Sequence, residues 1–201
     1  NCARPGDPCV PDSITIQSRP GACHGRTVLV VDPSGGPVPR LGVVLPVGVP
    51  NPPLPPVGTS QWIGPNLCAV PPCNDPPGTY IWRRYFCLCS GIDSTIVRVR
   101  LCFEGVNRVQ VFLSGKLLGT YVFANGPTCI DTLVAVGRNP CPYLEFRVTR
   151  TGGVANPAGL SYQGSIVGPG LVKDSCCSCY LHNGGAGPSN LTAPDEDQIT
   201  I

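Results

Sequence analysis

The chain has 201 residues and a net charge of +2, carried by 12 arginines and only two lysines without a run of either sign. That balance gives a nucleic-acid partner no electrostatic support. Proline and glycine number 25 each, but 42% of residues are hydrophobic, which excludes a wholly disordered chain. No apolar run reaches the ~18 residues of a membrane-spanning helix; candidates such as 41–49 are interrupted by Gly42, Pro46 and Gly48.

Thirteen cysteines are present: Cys2, Cys9, Cys23, Cys68, Cys73, Cys87, Cys89, Cys102, Cys129, Cys141, Cys176, Cys177 and Cys179. That density points to disulfides formed in an oxidising compartment. An odd number leaves at least one cysteine unpaired or joined to another molecule. Methionine is absent, even at position 1. The expectation is a secreted protein, extracellular or at a cell surface, from which a signal peptide has been removed.

Residues 1–25 read as a cystine-tied N-terminal arm in which 13–18 alternates apolar and polar residues. Residues 26–32 read as a strand, closed by the turn Pro33-Ser34-Gly35-Gly36. The stretch 37–57 is rich in proline, which removes ladder donors, so it is expected as a long loop and not as a central strand. The strand signal is densest from 79 to 149. In 79–89 aromatics alternate with polar groups around Arg83 and Arg84, the pattern of a strand packing rings on one face. In 94–104, Val97, Val99, Leu101 and Phe103 share one face, with Arg98, Arg100 and Glu104 on the other. Gly105-Val106-Asn107 turns into 108–113, and Ser114-Gly115 is a two-residue hairpin turn leading to 116–123. Further strands are expected at 129–136, 143–149 and 160–167.

Strands recurring every 8–14 residues, with no capped stretch of helical period, predict an all-β fold. The expected architecture is an antiparallel β-sandwich, jelly-roll-like and disulfide-rich, with long Pro/Gly-rich loops and extended terminal segments. The sandwich is assigned to 26–175. Residues 176–201 are assigned to a cysteine cluster, a flexible linker and a β-competent tail, Gln198-Ile199-Thr200-Ile201.

Residues that could carry chemistry are few. Cys176-x2-Cys179-x2-His182 has metal-ligand spacing. The cysteines are nevertheless scattered over the chain and embedded in strands, so disulfides are expected and no metal or other cofactor is assigned. A Cys-x-x-Cys redox site needs a helix N-terminus that the pattern lacks. With only His24 and His182, and no nucleophile elbow, hydrolytic machinery is poorly supplied. A glycosidase pair of Glu104 with Glu145 or Asp131 would require convergence in space; otherwise these are solvated carboxylates opposite arginines. Asn190-Leu191-Thr192 is an N-glycosylation sequon.

These residues lead to a secreted, non-enzymatic structural protein, a self-associating subunit of a filament, surface layer or matrix. Strand exchange by 13–18 or 198–201 would join neighbours, and the odd thiol would lock the contact. The alternative is an extracellular carbohydrate-binding or adhesion module, with a glycan as partner and Trp62 as stacking platform. A glycoside hydrolase ranks third.

Overall fold

Period-two alternation dictates the two layers of the molecule. Residues 12–18, 27–45, 56–66, 75–88, 95–122, 126–137, 142–151 and 158–172 are described by a computed structural model. In β8 (Thr95–Gly105), Val97, Val99, Leu101 and Phe103 are buried while Ile96, Arg98 and Arg100 face solvent. A strand apolar on one side only must lay that side on a second layer.

The first sheet runs β11 (Thr128–Val136), β8, β13 (Leu160–Gly168), β5 (Ile63–Gly64), β4 (Val43–Val44), with β1 (Asp12–Gln17) also paired to β13. The second runs β10 (Lys116–Val122), β9 (Arg108–Leu113), β12 (Tyr143–Arg150), β6 (Gly78–Tyr85), β2 (Val28–Val31), β3 (Arg40–Leu41). A short ribbon pairs β14 (Leu171–Val172) with β7 (Cys87–Leu88). All pairings are antiparallel, and no helix occurs among the described residues. The chain is an all-β antiparallel sandwich, as its alternation predicts.

Rings join the layers. Phe146 of β12 stacks on Tyr162 of β13 at 4.7 Å between centroids, and Phe103 of β8 lies 6.2 Å from Phe146. Tyr80, Trp82, Phe103, Phe146 and Tyr162 are all fully buried, each contributing roughly 1.5–3 kcal/mol by burial. The Tyr162 phenol is hydrogen-bonded to the Thr27 hydroxyl at 2.6 Å, and burial raises its pKa.

Turn chemistry places the crossovers. Asn107 adopts φ +70°, and the turn it occupies carries the chain from β8 in the first sheet to β9 in the second. Ser114 and Gly115, both at positive φ, close the β9–β10 hairpin where the sequence predicts it. In the Pro-rich stretch, β3 and β4 are two residues each and lie at sheet edges, which suits a segment short of ladder donors. Gly42 between them leaves a Cβ position only 3.0 Å from the Trp82 ring, so a side chain there would require that ring to give by a few tenths of an ångström.

One expectation changes. Residues 13–18, read as part of a separate arm and as a strand for exchange, form β1 and Ser18, and β1 pairs with the chain's own β13. Its apolar face, Ile14 and Ile16, completes the core and makes that docking favourable. Cys102 and Cys129, two of the strand-embedded cysteines expected to form disulfides, are bonded to each other across adjacent strands of one sheet. The other cysteine side chains, Cys2, Cys9, Cys23, Cys68, Cys73, Cys87, Cys89, Cys141, Cys176, Cys177 and Cys179, lie outside the described residues, as do Asn190 and the 176–201 tail.

Candidate functional site

Trp62 does not offer a platform. The backbone of its segment is held by a hydrogen bond from Leu45 N to Trp62 O (2.8 Å) and by β5 beside it. The ring lies against Gly159, where a Cβ would stand 3.1 Å from Cε3, and the residue is 7% exposed. A stacking platform needs an open ring face; this one is covered, because the strand that follows ties Trp62 to the edge of the core.

The three carboxylates of the suggested glycosidase pair do not converge. Asp131 lies on the outer side of the first sheet, where Arg98 grips it in a bidentate pair (2.6 and 2.8 Å) and Arg100 approaches to 3.4 Å. The Arg98 hydrogen bond, helped by both arginine charges, holds its pKa below the usual carboxylate value. Glu104 is four residues along β8 from Arg100, the register partner of Asp131, about 13 Å by strand rise. It has outward parity yet is buried. Ser161, directly opposite it, lies under the 56–61 loop: Val57 N donates to Ser161 Oγ (3.0 Å), and the Ser60 and Ser161 hydroxyls are 2.7 Å apart. Among the described residues Glu104 Oε2 has no hydrogen-bond partner, and burial raises its pKa. Glu145 sits on the other sheet and is engaged by two arginines. The expectation of solvated carboxylates therefore fails for Glu104 and Glu145, both buried.

A second polar group closes the rim between the sheets. Asp32 ion-pairs with Arg40, which donates to Asn66 Oδ1 (3.4 Å); Asn66 donates to Asp75 Oδ1 (3.0 Å). Asp75 Oδ2 accepts from Ala158 N (2.8 Å). Burial next to Asp75 and Asp32 pushes the Tyr80 phenol well above its ordinary pKa. Every carboxylate oxygen of Asp32 and Asp75 is engaged, so this network ties loops together. Among the described residues no three of His, Cys, Asp and Glu gather as a metal-ligating group.

The outer face of the second sheet is different in kind. Register sets its rows: Phe112, Glu145 and Arg83 lie side by side on β9, β12 and β6. Gln110, Arg147 and Ile81 form the next row, then Arg108, Thr149 and Thr79. Glu145 is almost wholly covered because two guanidinium groups close over it. Arg83 Nε donates to Glu145 Oε2 at 2.7 Å and Arg147 Nε to Oε1 at 2.7 Å. Each cation also lies on a ring: Arg83 Cζ is 4.5 Å from the centroid of Tyr143, and Arg147 Cζ is 4.1 Å from that of Phe112. Tyr85 packs beside Tyr143 with centroids 5.7 Å apart. Partial burial pulls the Arg83 pKa down, but hydrogen bonds to Glu145 and Tyr85 outweigh it and hold the group above its ordinary value.

Farther along this face is a cleft of about 360 Å³ lined by Asn107, Arg108, Val122, Thr149 and Thr151. Asn107 Oδ1 accepts from Thr151 N at 3.1 Å, and the Thr79 and Thr149 hydroxyls are 3.1 Å apart. From Tyr143 to Thr149 the face extends about 20 Å by strand rise. Its sequence signal was the opposite parity of strands read mainly for their core residues. In 79–86 the aromatic-and-arginine run divides: Tyr80, Trp82 and Arg84 have inward parity and are buried, whereas Arg83 faces outward onto Tyr143.

No protein-family model matches this sequence, and no curated protein matches it. Among solved structures it is similar to the CBM36-1 domain of a multidomain xylanase from the hindgut metagenome of Trinervitermes trinervoides. That likeness has 15% identity over 88% of this chain and 99% of the other, with a TM-score of 0.33. A carbohydrate-binding module CBM36 in complex with calcium and xylotriose is 15% identical over 45% of this chain and 71% of its own, with a TM-score of 0.24. At such identity and such scores, neither likeness bears on what this chain binds.

Proposed function

We propose that this chain is a non-catalytic extracellular glycan-binding module whose ligand lies on the outer face of the second sheet. The observation that carries the reading is the pair of guanidinium planes laid on Phe112 and Tyr143 and locked from below by Glu145. A sugar offers an apolar C–H face and a rim of hydroxyls. Flat, weakly hydrated arginine heads meet both, and heads already held in place lose little entropy on binding. The scattered carboxylates, which do not converge, support a non-catalytic role, and the Cys102–Cys129 disulfide supports an oxidising, extracellular setting.

The test is binding to a panel of immobilised neutral and acidic polysaccharides, followed by calorimetry on the best ligand. Arg147→Ala is expected to weaken binding roughly tenfold or more, the loss of one charge-assisted hydrogen-bonding group. Arg98→Ala, on the opposite sheet, is expected to leave it unchanged. Equal losses in both variants, or no binding across the panel, would reject the reading.

A second reading, assembly by strand addition, is favoured by β11. Its nine residues pair with β8 in unbroken register, and no described strand pairs with its other edge. Leu133 and Ile96 stand exposed at diagonal positions on neighbouring strands, Leu133 opposite Arg98 and Ile96 opposite Ala135. A regular edge with one charged residue, Asp131, is a template for another strand. Light scattering at high protein concentration should then show oligomers that Leu133→Lys disperses; a monomer throughout removes this reading.

A further inference from the structure

Building on the glycan-binding reading, we infer that the ligand is an acidic polysaccharide, one bearing uronate carboxylates, and that the cleft at Arg108 receives a carboxylate. The charge on this face is one-sided. Arg83, Arg147 and Arg108 stand in successive rows of β6, β12 and β9, and Glu145 is the only carboxylate among these rows. Glu145 is already taken by Arg83 and Arg147, whereas Arg108 has neither an ion pair nor a side-chain hydrogen bond among the described residues. It is held at the cleft by its place in the ladder, between Thr149 of β12 and Val122 of β10.

The lining itself selects for an anion. Among the described residues it contains one cation, one carboxamide, two threonine hydroxyls and one valine, with no acidic side chain. Because Asn107 Oδ1 accepts from Thr151 N, the amide nitrogen is the end of Asn107 that remains to donate. A guanidinium and a carboxamide on residues lining one cleft offer N–H donors for the two oxygens of a carboxylate. The volume, about 360 Å³, is at the small end of ligand pockets and suits one sugar unit. The exposed Val122 methyls give that unit an apolar wall. Successive rows of a strand are about 7 Å apart, so the three arginines track the face and favour a chain carrying repeated charges over a single small anion.

The experiment uses the full chain with polygalacturonate and its carboxyl-reduced, neutral counterpart, by calorimetry at low and high salt. The expected result is binding to polygalacturonate that weakens with salt, with little binding to the reduced polymer. Arg108→Ala should cost roughly tenfold or more on the acidic polymer. Arg108→Lys should recover part of that loss, because it restores the charge without the planar fork. Arg108 is exposed, so circular dichroism should show both variants folded. Equal affinity for the two polymers, still sensitive to Arg147→Ala, would overturn the acidic inference and leave the glycan-binding reading standing. Failure to bind either polymer, or any other glycan, would overturn both. Tighter binding to a sulfated polymer or to single-stranded DNA than to polygalacturonate would overturn the uronate assignment.

Discussion

Two glutamates on alternating strands show how little parity alone says about a side chain's surroundings. Glu104 and Glu145 both have outward parity, and both are buried, for opposite reasons. Glu145 is covered by its own partners, so its charge is compensated. Glu104 lies at an end of the sheet where the 56–61 loop crosses, and its Oε2 has no partner among the described residues. A buried carboxyl without compensation has a raised pKa in the folded state, and the folded chain then binds the proton more tightly than the unfolded one. Its favourable contribution is complete below the ordinary glutamate pKa of about 4.3 and is lost as pH rises through the folded value. Glu104→Gln should therefore raise the melting temperature at pH 7, and the gain should vanish as pH falls below about 4. Circular dichroism melts from pH 3 to 8 measure this. A variant less stable than wild type at pH 7 would mean that the charged carboxylate is stabilising.

At the scale of elements, the pairing of β8 with β11 is both the longest unbroken register and the one cross-linked by Cys102–Cys129. The two cysteines are direct register partners, 27 residues apart in sequence. A closed loop of that size contributes about 3–4 kcal/mol through the unfolded state, before any native strain. The double variant Cys102→Ala/Cys129→Ala should lose about 2–4 kcal/mol in urea denaturation, with an increased m-value because the unfolded chain expands. No loss would mean that the strand pairing alone restrains this edge. The bond also shields β11 from local opening, which matters because β11 is an edge strand and edges open first. Most other expected elements match the structure within a residue or two, but 79–89 divides: β6 ends at Tyr85, and Cys87–Leu88 pair with β14 in a separate ribbon. Residues 108–113 coincide with β9, and the Ser114–Gly115 hairpin falls where its turn residues place it. Local chemistry decides such elements: period two sets the strand, and positive-φ turns set its ends.

Across the whole molecule, the two outer faces differ in kind. The first sheet presents Arg98 and Arg100 neutralised in part by Asp131, with a cystine beside them. The second presents arginines stacked on rings around one covered carboxylate, continuing into the cleft at Arg108. A glycan-binding role uses the second face and an assembly role uses the β11 edge of the first, so neither excludes the other. Arg147 lies on the second sheet, whereas Arg98 and Leu133 are register partners on the first, so Arg147→Ala is independent of both Arg98→Ala and Leu133→Lys.

Composition and alternation by themselves determined the all-β class, the strands from 79 onward and their inward residues, because burial imposes a period on a strand that any local reading detects. They also indicated disulfides, of which Cys102–Cys129 is now placed. What tertiary structure alone decided is which strands are neighbours. Only pairing in register sets Arg83 and Phe112 beside Glu145, turns Trp62 into the core and moves residues 12–17 from an arm into the sheet. Those outcomes depend on contacts between residues up to about 150 positions apart, such as Ile14 with Ile166, and no window along the chain contains both partners. The candidate face is legible only once three strands lie side by side.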